Sequence, residues 1–260
     1  MCLILLAWRV HPRFPLVVAG NRDEFFSRPA TVAGFWKEAP HILAGKDLEA
    51  GGTWMGVTTA GRFAALTNYR DPAQMQTGRP SRGALVADFL AGSDSPADYL
   101  AGSAGFGAQC NGYNLLVGDG RSLWWVSNVT NERQELQPGI YGLSNHLLNS
   151  PWPKVGAGRT ALEMALAALP ADQALFDLLT DDRIHPDETL PQTGIGLEWE
   201  RVLSAAFIRT PAPTPVYGTR SSTVLCMRDD GMTLFDEITW TTDSASARPA
   251  TRQRYVFRQS

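Results

Sequence analysis

The side chain best suited to covalent chemistry is that of Cys2, which directly follows Met1. Removal of Met1 would place a thiol and an α-amine on the same terminal residue. The free amine has a reference pKa of about 7.7–8.0, so it can act as a base near neutral pH. Such a pair is an N-terminal nucleophile, the cysteine counterpart of a Thr with its terminal amine. The alternative from position alone is a small buried residue that opens a strand.

Polar residues that follow apolar segments supply the other parts of an acyl-transfer site. The nearest run is Asn21–Glu24, and later ones are Asn68-Tyr69, 144–146 and 217–223. An Arg and a carboxylate would orient the amine and lower the pKa of the thiol. An Asn amide and a backbone N–H would hold an oxyanion, each donor being worth about 3 kcal/mol. These residue types predict attack of a thiol on a carbonyl carbon.

The elements that must position these groups begin with a hairpin. Residues 2–8 predict a strand that is apolar on both faces, with Cys2 at its start. A strand apolar on both faces is buried on both sides. Residues 14–20 predict a second apolar strand after a short turn. This hairpin would return residues 21–24 to the level of Cys2.

The rest of the chain alternates hairpins with a helical stretch. Further strands are predicted at residues 53–58, 62–68, 113–117, 123–126, 140–144, 216–228, 232–240 and 252–258, and helices at 81–90, 96–101, 159–169, 171–180 and 197–207. Residues 25–50 are predicted to be an irregular loop. This order is typical of an α+β protein with antiparallel sheets. Strands buried on both sides predict a four-layer αββα sandwich, which we expect to form a single domain over residues 1–260.

The composition indicates a globular protein without a nucleic-acid partner. The 260 residues are 44% hydrophobic, carry a net charge of -3 and contain no basic run. Three cysteines without short spacing argue against disulfides and a zinc site and favour a reducing compartment. The apolar run at residues 3–8 is too short for a signal peptide or a membrane span. We expect a cytoplasmic protein with no metal and no cofactor, and the oligomeric state stays open.

Several blocks of the sequence resemble the NRDE-containing protein family, which is related to the transport and Golgi organization proteins. They are the Met-Cys start with residues 21–24, and residues 51–56, 67–70, 81–83 and 142–145. That family is similar in turn to N-terminal nucleophile hydrolases of the penicillin V acylase and bile-salt hydrolase type. The resemblance implies the same αββα fold. It also implies an amidase-like site or a role in haem and lipid homeostasis.

The resemblance assigns a role to individual positions. Cys2 matches the nucleophile, Asn145 the oxyanion Asn, Arg220 a late active-site Arg, and Asn68 with Tyr69 a strand end that supplies a backbone donor. The implied catalytic set is Cys2, Arg22, Asp23, Asn68, Asn145 and Arg220. The implied substrate-binding set is Asn21, Glu24, Trp54, Tyr69 and His146.

The carboxylate of the site is left open between two residues. The acylases place their Arg and Asp with a different spacing, so either Asp23 or Glu24 fits that role. Strand alternation predicts that the two do not share one face. A structural interpretation is also available, in which residues 21–24 form an ion-pair network that caps the strand. Arg220 would then be a partner for one of these carboxylates.

Two functions follow from these patterns. The first is an N-terminal cysteine hydrolase that cleaves a linear non-peptide amide through a Cys2 thioester. The second is a non-catalytic carrier of haem or an acyl lipid on the same fold, because a fold does not fix a function. The partner in both cases is a small molecule, either an amide or another hydrophobic ligand.

Overall fold

Two antiparallel β-sheets lie within the part of the chain that a computed structural model describes, residues 2–210, 216–241 and 248–260. The strands are β1 (Cys2–His11), β2 (Phe14–Phe25), β3 (Gly34–Phe35), β4 (Ile42–Ala44), β5 (Met55–Thr58), β6 (Phe63–Asn68), β7 (Tyr113–Gly118), β8 (Leu123–Ser127), β9 (Glu132–Glu135), β10 (Gly139–Leu143), β11 (Tyr217–Met227), β12 (Met232–Trp240) and β13 (Pro249–Arg258). In the described residues, the first sheet has the order β10-β1-β2-β11-β12-β13 and the second the order β3-β4-β5-β6-β7-β8-β9.

Helices pack on the outer face of each sheet. The helices of the described residues are α1 (Gly83–Ala91), α2 (Pro96–Gly102), α3 (Ala104–Gly107), α4 (Pro153–Leu166), α5 (Gln173–Asp177) and α6 (Leu197–Val202), with 3₁₀ turns at Pro72–Gln74, Leu178–Thr180 and Asp187–Thr189. Of these, α4 and α5 pack against the first sheet and α1 and α2 against the second. Among the described residues, no helix has the length and apolar character needed to cross a membrane.

The two apolar faces of β1 enter two different cores. Ile4 and Leu6 pack between the sheets, whereas Leu3 and Leu5 pack against α4 and α5 on the outside of the first sheet. All four side chains are fully buried, and each such burial stabilises the fold by about 1.5–3 kcal/mol. A third core lies between the second sheet and the helices α1 and α2. The predicted four-layer αββα sandwich is therefore confirmed.

Strand β2 extends further than the hairpin pattern predicts. It continues through residues 21–24 to Phe25, because β11 pairs with its outer part. The four polar residues therefore lie inside a strand and alternate between its faces. This extension decides which of them can reach Cys2.

Other departures have local physical causes. Residues 25–50, predicted as a loop, contain β3 and β4, and β4 is a buried strand of three residues, too short for any periodic signal. Helix α4 begins at Pro153 rather than at residue 159, because Pro is well suited to the first helical position. Helix α6 ends at Val202, before the predicted residue 207. The fully exposed β9 was not predicted, since it has no apolar alternation.

Candidate active site around Cys2

The first hairpin brings Cys2 and Arg22 side by side. The two residues are Cα partners in the antiparallel pairing of β1 with β2. Cys2 is 8% exposed and lines a cavity of about 170 Å³, together with Arg22, Asp23 and Glu24. The hairpin thus delivers the polar run to the level of the thiol, as the sequence predicts. Met1 lies outside the described residues, so the structure describes the site from Cys2 onward.

Asp23 is the buried carboxylate of this site. Its side chain is 1% exposed, and its Oδ1 accepts a hydrogen bond of 2.7 Å from the Thr219 hydroxyl on β11. Burial raises the pKa of Asp23 to about 6, and the nearby charge of Lys154 acts in the opposite direction. The carboxyl group therefore changes protonation state close to neutral pH.

Glu24 has a more open setting than Asp23. It is 23% exposed, and its Oε2 lies 3.9 Å from Nη2 of Arg22. Both residues line the cavity around Cys2, but their side chains have different partners. Asp23 bonds to Thr219 and lies near Lys154, whereas Glu24 lies beside Arg22, as expected for neighbours that alternate between the faces of a strand.

The thiol of Cys2 is held in its neutral form. Burial raises its pKa, the charge of Asp23 raises it further, and the charge of Arg22 lowers it. The carbonyl oxygen of Cys2 accepts a hydrogen bond of 3.0 Å from the Ser144 hydroxyl at the end of β10. The thiol therefore needs an adjacent base before it can act as a nucleophile.

Asn68 and Asn145, the two residues predicted to help hold an oxyanion, are hydrogen-bonded to each other. Nδ2 of Asn145 donates a hydrogen bond of 2.9 Å to the carbonyl oxygen of Asn68. Asn68 lines the cavity, whereas Asn145 is fully buried behind it. The backbone N–H of Tyr69 donates to the Gly112 carbonyl at 2.9 Å. An Asn amide nitrogen has two N–H groups, so Asn145 keeps one donor beyond its bond to Asn68.

Arg220 lies on the bulge of β11 and lines the cavity. Its Nη1 donates to the carbonyl oxygens of Phe25, Phe26 and Arg28 at 3.0–3.2 Å. Burial lowers its pKa, and the charge of Arg22 lowers it further. In the described residues it forms no ion pair with a carboxylate, so the interpretation of Arg220 as a simple partner for Asp23 or Glu24 does not hold.

The predicted substrate-binding residues divide between the site and its surroundings. Trp54 and Glu24 line the cavity around Cys2, and Tyr69 lines a neighbouring cavity. Asn21 is fully buried on the opposite face of β2, where its amide donates to the carbonyl oxygens of Leu179 and Ala206 and accepts from Ser222. Neither cavity includes it among its described lining residues. Its predicted contact with substrate is therefore not supported.

His146 also lies outside both cavities. Its ring lies between those of Tyr69 and Trp152, with centroid distances of 5.1 and 5.7 Å. Burial lowers its pKa. This is the setting of a packed aromatic ring, and it does not support direct contact with a substrate.

A second, wider cavity adjoins the first. Its volume is about 980 Å³, and it shares Glu24, Arg28, Asn68 and Arg82 with the smaller cavity. Phe25, Tyr69, Met75, Val129, Trp199 and Tyr217 make part of its wall apolar, and charged and amide side chains line the rest. The site therefore combines a small charged cavity at the thiol with a larger, partly apolar one beside it.

The sequence profile described as Transport and Golgi organisation 2 matches residues 1–242 of this chain. The chain belongs to the Transport and Golgi organisation 2 family. The Bos taurus homolog is 36% identical over 258 residues, covering 91% of this chain and 92% of its own. The Drosophila melanogaster protein of this name is 28% identical over 273 residues, covering 93% of each chain.

Two solved structures resemble this family member in three dimensions. A variant of the conjugated bile acid hydrolase of Clostridium perfringens has a TM-score of 0.49 at 9% identity, covering all of this chain and 98% of its own. A Caenorhabditis elegans ortholog of N-acylethanolamine-hydrolyzing acid amidase has a TM-score of 0.47 at 10% identity, covering 86% and 92%. Both scores lie below 0.5, so the function of this family member is argued from its own site.

Sequence reasoning missed one buried charge cluster beneath the site. Lys154 is 3% exposed, and its Nζ donates to the Leu203 carbonyl at 2.8 Å. Burial lowers its pKa to about 8, while the charge of Asp23 acts to raise it. Close by, Nη1 of Arg70 lies 2.7 Å from Oε2 of Glu200, and both side chains are 4% exposed. No local pattern marks these residues as buried, since their partners are distant in the chain.

Arg82 is the other site residue that sequence reasoning missed. It lines both cavities, and its Nη1 donates to the Gly112 carbonyl at 3.1 Å. Burial lowers its pKa, and the charge of Glu24 acts to raise it. Its place in the block 81–83, which resembles the family, was the available signal.

Proposed function

We propose that this protein is an N-terminal cysteine hydrolase that cleaves a linear non-peptide amide. The observation that carries the proposal is the position of Cys2, which lines one small cavity with Arg22 and the buried carboxylate of Asp23. After removal of Met1, the α-amine of Cys2 would lie on the residue that also carries the thiol. A base and a nucleophile on one residue are the two groups that thioester chemistry needs.

The proposed reaction has two steps. The α-amine takes the thiol proton, the sulfur attacks the amide carbon, and the C–N bond breaks as the amine nitrogen accepts that proton. Water then attacks the thioester, its proton passing through the α-amine to the sulfur, and a carboxylic acid leaves. Asp23 orients the ammonium form of the α-amine, and Arg22 favours the thiolate through its charge. The second N–H of Asn145 is the proposed oxyanion donor.

The experiment is an intact-mass measurement on protein from its native host, followed by labelling with iodoacetamide. We expect loss of the mass of Met1 and the addition of one label, which a Cys2→Ala variant no longer takes up. Cys226 serves as an internal control, because burial raises its pKa to about 12 and leaves it unreactive. Retention of Met1 in the native protein would sink the proposal.

The wide cavity favours a second candidate function, the binding of haem or an acyl lipid without catalysis. Its volume of about 980 Å³ and the apolar part of its wall would suit a large hydrophobic ligand. Titration with haem, followed at the Soret band, tests the haem version, and absence of a saturable shift would remove it. We also propose the cytoplasm as the compartment, a placement supported by three free and buried cysteines.

A further inference from the structure

Four arginines line the small cavity around Cys2, and three of them, Arg22, Arg82 and Arg220, leave most of their N–H donors unused. Arg22 is the clearest case, with a side chain that is only 12% exposed. Its guanidinium makes no hydrogen bond to any described residue, and its one ion-pair contact, to Glu24, is long at 3.9 Å. A guanidinium has five N–H donors, and largely buried polar groups are normally hydrogen-bonded. Arg22 is therefore arranged for a partner outside the described chain.

Arg82 and Arg220 extend this pattern. Each uses only Nη1, and only toward neutral backbone carbonyl oxygens. Neither forms an ion pair with a described carboxylate. Their forked N–H groups match the two oxygens of a carboxylate or phosphate. The cavity thus brings together three guanidinium groups with unused N–H donors, and Arg22 alone among them has an ion-pair contact with a described carboxylate, the long one to Glu24.

The other charged groups of the cavity wall already have partners. Arg28 pairs with Asp47 at 2.7 Å, and Lys46 pairs with Glu38. Glu237 accepts hydrogen bonds from the Ala33 amide and the Thr223 hydroxyl. The three arginines face the carboxyl groups of Glu24, Asp23 and Glu237, so the cavity offers unused N–H donors without a large excess of positive charge. This arrangement favours a ligand group with a single negative charge over one with two.

The volumes of the two cavities define the shape of the ligand. A cavity of about 150 Å³ holds a benzene molecule, so the 170 Å³ around Cys2 accommodates about six non-hydrogen atoms. The adjoining, partly apolar cavity of about 980 Å³ takes a much larger group. A ligand that fills both would have a small charged end and a long apolar remainder.

We infer that Arg22, Arg82 and Arg220 bind a carboxylate, and that the substrate is an amide with a small carboxylate-bearing half and a larger apolar half. The identity of the amide rests on the proposed function, whereas recognition of the carboxylate does not. Binding and turnover can therefore fail separately, and binding is the property to measure.

The test uses the full chain with Cys2→Ala, which cannot turn over a bound amide. Its affinity is measured by calorimetry for N-octanoylglycine and for the neutral N-octanoylglycinamide. We expect the acid to bind at least tenfold more tightly. Arg82→Gln should lower the affinity for the acid about tenfold and leave the affinity for the neutral amide unchanged. A folding defect would lower both affinities, so it would not produce this selective loss.

Arg62→Gln is the matched control, because Arg62 also donates to a backbone carbonyl oxygen, that of Phe89, and neither cavity includes it among its described lining residues. It should change neither affinity. Equal binding of the acid and the neutral amide would overturn the inference. So would tighter binding of octyl phosphate than of N-octanoylglycine at pH 7.5, since the phosphate then carries close to two charges. Failure of Met1 removal or of turnover would leave these results unaffected and would count only against the proposed hydrolase.

Discussion

Asp23 is the residue whose environment most directly links stability to the candidate chemistry. It is buried, bonded to Thr219, and lies near the buried cation Lys154. Each of these two groups would be more stable in its charged form if it were in water, and each is held nearly free of water here. Buried charges that are retained at such a cost are candidates for function. The cost can be measured as a dependence of stability on pH.

Replacement of Asp23 by Asn should remove that dependence. The folded-state pKa of about 6 lies above the ordinary value of 3.8, so the folded state binds more protons between these values. The free energy of unfolding contributed by Asp23 is therefore full below pH 4 and is lost as pH rises through 6, by about 3 kcal/mol in total. In urea unfolding, the stability of Asp23→Asn relative to the parent should rise by that amount between pH 4 and 7.

Glu198→Gln is a suitable control for this series, because Glu198 is 85% exposed. We expect its stability relative to the parent to change by less than about 0.5 kcal/mol across the same pH range. A parallel pH profile for Asp23→Asn and the parent would contradict the assignment of Asp23 as a buried group that titrates near pH 6.

Under the proposed function, the charge of Lys154 should determine the pH at which kcat/KM rises on the acidic side of its pH profile. Asp23 must be ionised to orient the α-amine, so kcat/KM should rise as pH increases through about 6. Lys154 lowers the pKa of Asp23, and Lys154→Met should therefore move this rise to higher pH. Lys154→Arg, which keeps the charge, should move it back toward the parent value. A rise in kcat/KM at the same pH in Lys154→Met and the parent would show that the two groups are not coupled.

At the scale of elements, helix α4 depends on a glycine where it crosses β1. A Cβ built on Gly158 would lie 2.7 Å from Cδ1 of Leu5, whereas one built on Gly156 would meet no atom within 4 Å. Substitutions at these two positions of one helix therefore distinguish the effect of close packing from the effect of intrinsic helix propensity. The close approach at Gly158 seals the outer face of the strand that begins with Cys2.

We therefore expect opposite effects from the same substitution at these two positions. Gly156→Ala should stabilise the protein by about 0.5–1 kcal/mol, because Ala has the better helix propensity. Gly158→Ala should destabilise it by about 1–3 kcal/mol, because the added methyl group overpacks a full core. Thermal unfolding of the two variants measures the difference. A stabilising Gly158→Ala would show that the helix shifts away from β1 at little cost.

The elements that sequence could predict are those with a strong local pattern. Strand β12 matches its predicted bounds, and the doubly apolar β1 places Cys2 opposite Arg22 as its hairpin predicts. Strand β4 escaped prediction because three residues cannot show a period. The bulge at Arg220 escaped because it arises from a shift in register between β2 and β11.

The part of the candidate site that lies within the first hairpin was predictable, because the hairpin has a strong local sequence pattern. Residues near Cys2 within the hairpin follow from strand geometry, whereas the burial of Lys154 depends on a carbonyl 49 residues away. Asn21 was predicted to bind substrate because it belongs to the polar run. Strand alternation instead turns its side chain toward the helices, where it bonds to Leu179 and Ala206. Which face a residue occupies at a strand end is set by pairing partners, and those partners are not visible in the local sequence.

At the scale of the whole molecule, the buried pair of Arg70 and Glu200 joins the two halves of the sandwich. Arg70 follows β6 of the second sheet, whereas Glu200 lies in α6, and Thr193 also donates to Glu200. Leu203, just after α6, in turn accepts from Lys154 of α4, on the side of the first sheet. The pair therefore anchors the chain segment that closes over the charged cluster. Loss of one partner would leave the other charge buried.

Glu200→Gln should accordingly destabilise the protein by about 3–5 kcal/mol, as is typical when one member of a buried pair is removed. The double variant Arg70→Met with Glu200→Met should be less destabilised than Glu200→Gln, because it leaves neither charge buried and replaces both with apolar groups. Glu198→Gln in the same helix removes an exposed ion pair with Arg201 and should cost less than about 1 kcal/mol. Urea unfolding of all three variants at pH 7 measures these differences. A double variant less stable than Glu200→Gln would mean that the pair stabilises the closed sandwich beyond the cost of burying its charges.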